Sequence, residues 1–227
     1  MENFEKELED YMNSTTEFMP EEPVSITQEE LEEILRKHKN WNLGKPDGEK
    51  ANFHGTFLHG LDFGNNYLEN ADFSSATIED CNFTGCYLNN ANFNEAIFVH
   101  TNLSSAYLHN ADLYRANFYD VKAAYSKLDN LDLRHTRFDN VDFSDANLEN
   151  AIFGKLHSVD FSGANLENTI FTHCDFEGCK FEEAVVEGTI FGSFEKPETI
   201  GENTWTHDDA LAYEEGFKKV IGENNKR

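Results

Sequence analysis

Three kinds of side chain in this sequence could carry chemistry. Four cysteines fall in two pairs, Cys81/Cys86 and Cys174/Cys179. Thiolates at such spacing could begin a zinc site, but no histidine falls in place to complete one. The nine histidines are scattered, and no Ser/His/Asp grouping or phosphate-cradling glycine loop accompanies them. Aspartates are frequent, among them Asp62, Asp72, Asp112, Asp132, Asp142 and Asp160. They recur with a period, which makes them a solvated surface pattern before they are an acid–base pair. The expectation is a protein with no catalytic residues, no bound metal and no cofactor.

The elements that position these residues are repeats. From Ala51 the chain reads ANFHG, TFLHG, LDFGN, NYLEN, ADFSS and onward in fives to AIFGK. A second register, VDFSG to TIFGS, follows after a slip. Of the 28 central residues, 15 are Phe and 10 are Leu. Calling the centre i, position i−2 is small and i−1 is usually Asn, Asp or Tyr. All four cysteines occupy i−2, so they read as small inward residues. Five fits neither a helix of 3.6 nor an unbroken strand of 2.0. Within a unit, i−2 and i share a face by strand alternation, and i+1 and i+2 are turn formers. Each unit is thus a short extended piece and a turn, and repetition winds a solenoid.

A period of 20 counts the units per coil. Leu68, Leu88, Leu108, Leu128 and Leu148 recur at that spacing, as do Asn70, Asn90, Asn110, Asn130 and Asn150. Four units per coil stack each set into a ladder, and stacked Asn side chains can bond along it. Phe53, Phe73 and Phe93 form another core column. The segment VDFSDANLENAIF returns as VDFSGANLENTIF after 18 residues. One coil has therefore lost two residues within Gly154–Ser158. About seven coils at roughly 4.8 Å each make a body about 35 Å long.

The flanks differ in composition. Residues 1–24 form an acidic tail expected to be mobile. Residues 25–50 hold a capping box, Thr27 to Glu30, then Leu31, Ile34, Leu35 and His38 at helical spacing. This helix is expected to plug the open end of the solenoid, with His38 at the helix surface or junction. Residues 51–193 are the repeat body. Residues 194–227 contain a linker and a second helix over 206–221, on Tyr213, Phe217, Val220 and Ile221. That helix either caps the far end or pairs with its copy in a homodimer.

Acidic residues number 43 and basic ones 18, a net charge of −25. Direct binding to nucleic acid or an anionic membrane is disfavoured, because both need Lys and Arg. No stretch approaches the roughly 20 apolar residues of a span. The N-terminus lacks the basic and apolar regions of a signal peptide, so a cytoplasmic protein is expected. The body alone has 21 acids and seven bases. Over about 35 Å, duplex DNA carries roughly 20 charges, so the rod reaches about two-thirds of that density. Counted along the chain in fives, the face of Phe53 carries −1, with Arg115, Arg134 and Lys155 offsetting its acids. The other three carry −5, −4 and −4. Asp142, Asp145 and Asp160 cluster on one of these and are the candidate partner-facing residues.

The recurring A(D/N)(L/F)xx units resemble the pentapeptide-repeat family. The resemblance implies an all-β solenoid, a right-handed quadrilateral β-helix of about seven coils, here with short flanking α-helices. The chain is similar in length, centre residues and acidity to the gyrase-protecting, fluoroquinolone-resistance branch. That likeness implies a non-enzymatic protein that mimics duplex DNA and binds DNA gyrase, topoisomerase IV or another DNA-binding protein. The alternative is a structural interaction scaffold for an unrelated protein partner.

Overall fold

In a computed structural model, residues 25–191 apart from 173 and 175 are described. The expected acidic tail at 1–24 and the expected helix at 206–221 lie outside the described residues. The chain opens with helix α1, Gln28–Asn42. Eight short strands follow: β1 Phe57–His59, β2 Thr77–Glu79, β3 Ile97–Val99, β4 Asn117–Tyr119, β5 Asp132–Asp139, β6 Ile152–His157, β7 Ile170–Phe171 and β8 Ile190–Phe191. Every pairing is parallel, and each strand pairs with the next.

The unit Ala71–Ser75 shows why five residues suffice. Its five backbone N–H groups all find acceptors. Asp72 donates to Ala51 of the preceding coil at 3.1 Å. Phe73 and Ser75 donate to Asn92 and Asn94 of the next coil at 2.7 and 2.8 Å. Ala71 closes the preceding turn on the Leu68 carbonyl at 3.1 Å. The remaining donor, Ser74 N–H, is taken by the Asp72 side chain at 3.0 Å. Buried main-chain donors must be paired, and here the pairing needs a side-chain acceptor at i−1. The same bond recurs at Asn82, Asn92, Asn102, Asp112, Asp142, Asn147, Asp160 and Asn165. The Asx residues at i−1 are therefore turn caps as well as surface charge.

Position i+2 carries positive φ at most corners, as at Asn70 (65°), Asn90 (58°), Asn130 (62°) and Asn150 (58°), but not at His135, where β5 runs through the corner. This is the left-handed region that Asn and Gly tolerate best. The Asn column thus has a backbone cause first. Ladder bonding adds to it between Asn150 and Asn130, at 3.1 Å.

Inside, the Phe and Leu centres stack. Phe53, Phe73 and Phe93 lie 4.7 and 4.8 Å apart in offset columns. Neighbouring columns meet edge-on, as Phe53 meets Phe63 at 5.6 Å. Leu68, Leu88, Leu108, Leu128 and Leu148 are likewise fully buried. Each such side chain contributes roughly 1.5–3 kcal/mol of burial. Buried hydroxyls at i−2 stay satisfied, as Thr101 and Thr136 donate to the Ile78 and Leu113 carbonyls.

The slip lies at Gly154. Leu133 pairs with Phe153, and Arg137 pairs with Lys155, so three corner residues face one. Strands β5 and β6 run across this tightened corner and join two faces of the coil. Asn165 then pairs with Asn147, which sets Leu166 beside Leu148 as the two-residue loss requires. The expected place for Lys155 needs correction. Counting in fives put it on the Phe53 face, but its pairing with Arg137 puts it on the second face. The charges of those two faces change from −1 and −5 to −2 and −4. The physical reason is that the loss falls before Lys155, not after it.

Helix α1 covers the first coil. Thr27 and Glu30 form the reciprocal capping box. Leu31 is buried, with Ile26, Ile34 and Leu35 packed beside it. His38 is fully buried at the junction rather than on the helix surface, and its Nδ1 accepts the Ala51 N–H at 2.9 Å. The Gln28 amide bonds both the N–H and the carbonyl of Asp62, at 2.9 and 3.1 Å.

Candidate interaction faces

Asp142 and Asp160 belong to the column Lys122–Asp142–Asp160–Lys180 on the third face, each paired with the next through its backbone. Asp145 stands at the adjacent corner with φ 54°. Asp142 and Asp160 thus stand in one column, with Asp145 at its edge. Lys180 Nζ lies 2.7 Å from Asp160 Oδ2. Burial would raise the Asp160 pKa, but the bonds from Lys180 and Ser162 outweigh it and hold the carboxyl below its ordinary value. The neighbouring Asp145 carboxylate raises the Tyr125 pKa. Beside this column runs a groove of about 410 Å³, lined by Asp120, Lys122, Asn140, Asp142, Asp160 and Lys180 among others. The face offers carboxylates framed by two lysines, at the roughly 4.8 Å spacing of the coils.

On the fourth face the i−1 column begins with three aromatic residues. Tyr67, Tyr87 and Tyr107 stack at 4.6 and 4.7 Å, and Tyr67 remains 54% exposed.

The corner after the second face gathers residues that a scan of single units does not bring together. His59 Nδ1 lies 3.3 Å from Glu79 Oε2 and 3.8 Å from Asp80 Oδ2. His100 lies between Asp80 and Asp120, at 3.7 and 3.6 Å. Further along, His157 meets Asp139 at 3.0 Å. The signal was available. Glu79 follows His59 by one full coil, and His100 follows Asp80 by another.

Three of the four cysteines hold their thiols protonated. Cys81, Cys86 and Cys174 are buried, and burial pushes their pKa values up to about 11, 12 and 12. Cys81 donates to the Leu58 carbonyl at 3.4 Å.

Parallel pairing on four faces, a filled core of Phe and Leu, and left-handed corners every five residues define a four-sided β-solenoid. The pentapeptide-repeat profile matches in 8 copies, across residues 49–85, 86–122, 116–154 and 155–192. The chain belongs to the pentapeptide-repeat family, whose members are generally structural or binding proteins rather than enzymes. No curated protein matches the sequence. Among solved structures, full-length QnrB1, a plasmid-mediated fluoroquinolone resistance protein, is 18% identical with a TM-score of 0.41. That match covers 73% of this chain and 94% of QnrB1. HetL, a pentapeptide repeat protein involved in heterocyst differentiation regulation in the cyanobacterium Nostoc, is also 18% identical, with a TM-score of 0.22. It covers 67% of this chain and 92% of its own. No helix among the described residues is long and apolar enough to cross a membrane.

Proposed function

We propose that this chain is a non-enzymatic, cytoplasmic protein-binding protein whose acidic rod presents a DNA-like charge pattern to a partner. The partner is a type II topoisomerase, DNA gyrase or topoisomerase IV, or another protein with a basic DNA-binding groove. The observation that carries this reading is the charge of the repeat body, 21 acids against seven bases on residues 51–193. Winding those residues into stacked coils spreads the charge along a rod about 35 Å long. Three of its faces carry −4 each. A groove built for duplex phosphates meets carboxylates there without any base to read. Asp142, Asp145 and Asp160 lie on the face proposed to meet the partner.

The test is competition. Purified chain is titrated into gyrase reactions containing relaxed DNA, and DNA binding and supercoiling are followed at low and high salt; for topoisomerase IV, DNA binding and decatenation are followed. Mimicry predicts displacement of DNA, weakening steeply as salt rises. No effect on a cognate topoisomerase at any concentration rejects it.

The exposed tyrosine stack supports a second reading, a scaffold for an unrelated protein partner. Stacked Tyr67, Tyr87 and Tyr107 offer the rigid aromatic area that interfaces favour. Binding confined to the three tyrosine units, whose one acid is Glu69, would weaken less with salt than binding through the carboxylate columns.

A further inference from the structure

We infer that His59, Glu79 and Asp80 form a binding site for a divalent transition-metal ion of the zinc class. The donor atoms of the first three residues all lie within 4.8 Å of one another. Four donors at 2.0–2.1 Å around a tetrahedral zinc stand about 3.3 Å apart. The His59–Glu79 separation is already 3.3 Å, and the His59–Asp80 separation is 3.8 Å. Little movement is needed to close the set around an ion, leaving one position for water.

The donors sit on rigid carriers. His59 and Glu79 end β1 and β2 and pair with each other in the parallel ladder. Asp80 is fixed by the corner geometry, with φ 52°. His100 Nδ1 lies 3.7 Å from the other Asp80 oxygen, from the third coil. That separation is beyond hydrogen-bond range, so His100 neighbours the Asp80 carboxylate without bonding it. One imidazole with two carboxylates is a borderline nitrogen–oxygen set. It suits Zn²⁺, Ni²⁺ or Cu²⁺ better than Mg²⁺ or Ca²⁺, which prefer all-oxygen shells. Two carboxylate charges would be neutralised by the ion, which would also clip the first coil to the second.

The experiment uses full-length protein freed of metal with a chelator. Zn²⁺ is titrated in competition with a chromophoric chelator, and thermal unfolding is followed with and without Zn²⁺. Saturable binding of one equivalent and a rise in midpoint are expected, with no comparable effect of Mg²⁺ or Ca²⁺. His59→Ala and Asp80→Asn should each lose that equivalent. Both positions are solvent-exposed, and circular dichroism checks that the coil persists. His109→Ala, which removes the separate His109–Asp129 pair, should keep it. Undiminished zinc binding in His59→Ala overturns the assignment. So does equal uptake of Mg²⁺, which would mean counterion condensation, or no zinc uptake by the wild type.

Discussion

Gly154 packs directly onto the backbone of Arg134, so that a Cβ on Gly154 would run into the Arg134 carbonyl oxygen. This contact is where a coil of 18 residues closes beside one of 20. Gly154→Ala should therefore destabilise the protein by about 1–3 kcal/mol, the usual range for overpacking. Replacing Gly154 with Arg-His-Thr, the three residues at the same corner of the preceding coil, should be tolerated better than the single methyl. Denaturant midpoints for the two variants check this. The reverse order would place the loss elsewhere.

Phe93 is wholly buried, 4.8 Å from Phe73 and 5.2 Å from Phe98. Phe93→Ala should cost about 3–5 kcal/mol, through lost burial and an unfilled cavity. Asn94, one residue on, is half-buried, and its carbonyl rather than its side chain bonds Ser75. Asn94→Ala should change stability little. Equal midpoints would contradict the register.

His38 ties stability to pH. Burial lowers its pKa, the Glu69 backbone carbonyl works against this, and the Lys50 charge reinforces it. Its Nδ1 accepts the Ala51 N–H, which only the neutral ring can do. The unfolded chain, with an ordinary pKa of about 6.5, takes up the proton before the folded one. The stability linked to this ring is present above pH ~6.5 and is lost as pH falls toward the lower folded value. His38→Gln should flatten the fall in stability that begins below about pH 6.5. Parallel profiles for wild type and variant would remove the assignment.

Neutralising the third face tests the charge reading without breaking turns. Asp142 and Asp160 each cap a backbone N–H through Oδ1, so Lys at these sites would remove turn bonds as well as charge. Asn keeps the acceptor, as Asn82, Asn92 and Asn102 do in the same slot. The variant Asp142→Asn/Asp145→Asn/Asp160→Asn should fold normally and compete with DNA for a topoisomerase less well. Asp112→Asn/Asp132→Asn, on the −2 face, should matter less. Supercoiling titrations at fixed salt compare the two.

Much of this architecture is legible in the residues because a short period leaves each unit the same few tasks. Phe73 and Leu68 declare the core, and Asn70 and Gly85 declare the corners. What the pattern conceals is local. Gly154 to Ser158 contains several positions where two residues could be missing. Only the close approach of the Gly154 and Arg134 backbones selects one, and it moves Lys155 to another face. The helical spacing includes His38, but its role depends on the Ala51 N–H, which finds its acceptor in the His38 ring. The His59–Glu79–Asp80 corner needed the 20-residue period applied to charged residues, not only to apolar ones.

Helix α1 has a consequence for the protein as a material. A coil's lower edge offers the same backbone groups that bind the next coil, so an uncovered first coil is a template on which other molecules could grow end to end. Gln28 occupies that edge at Asp62 with a side-chain amide that reproduces a peptide group's donor and acceptor. Ser25 does so at Phe57, and His38 at Ala51. The helix thus acts as a chain terminator for a one-dimensional crystal, fixing at this end the length of a body that repetition alone would leave open to fibre growth.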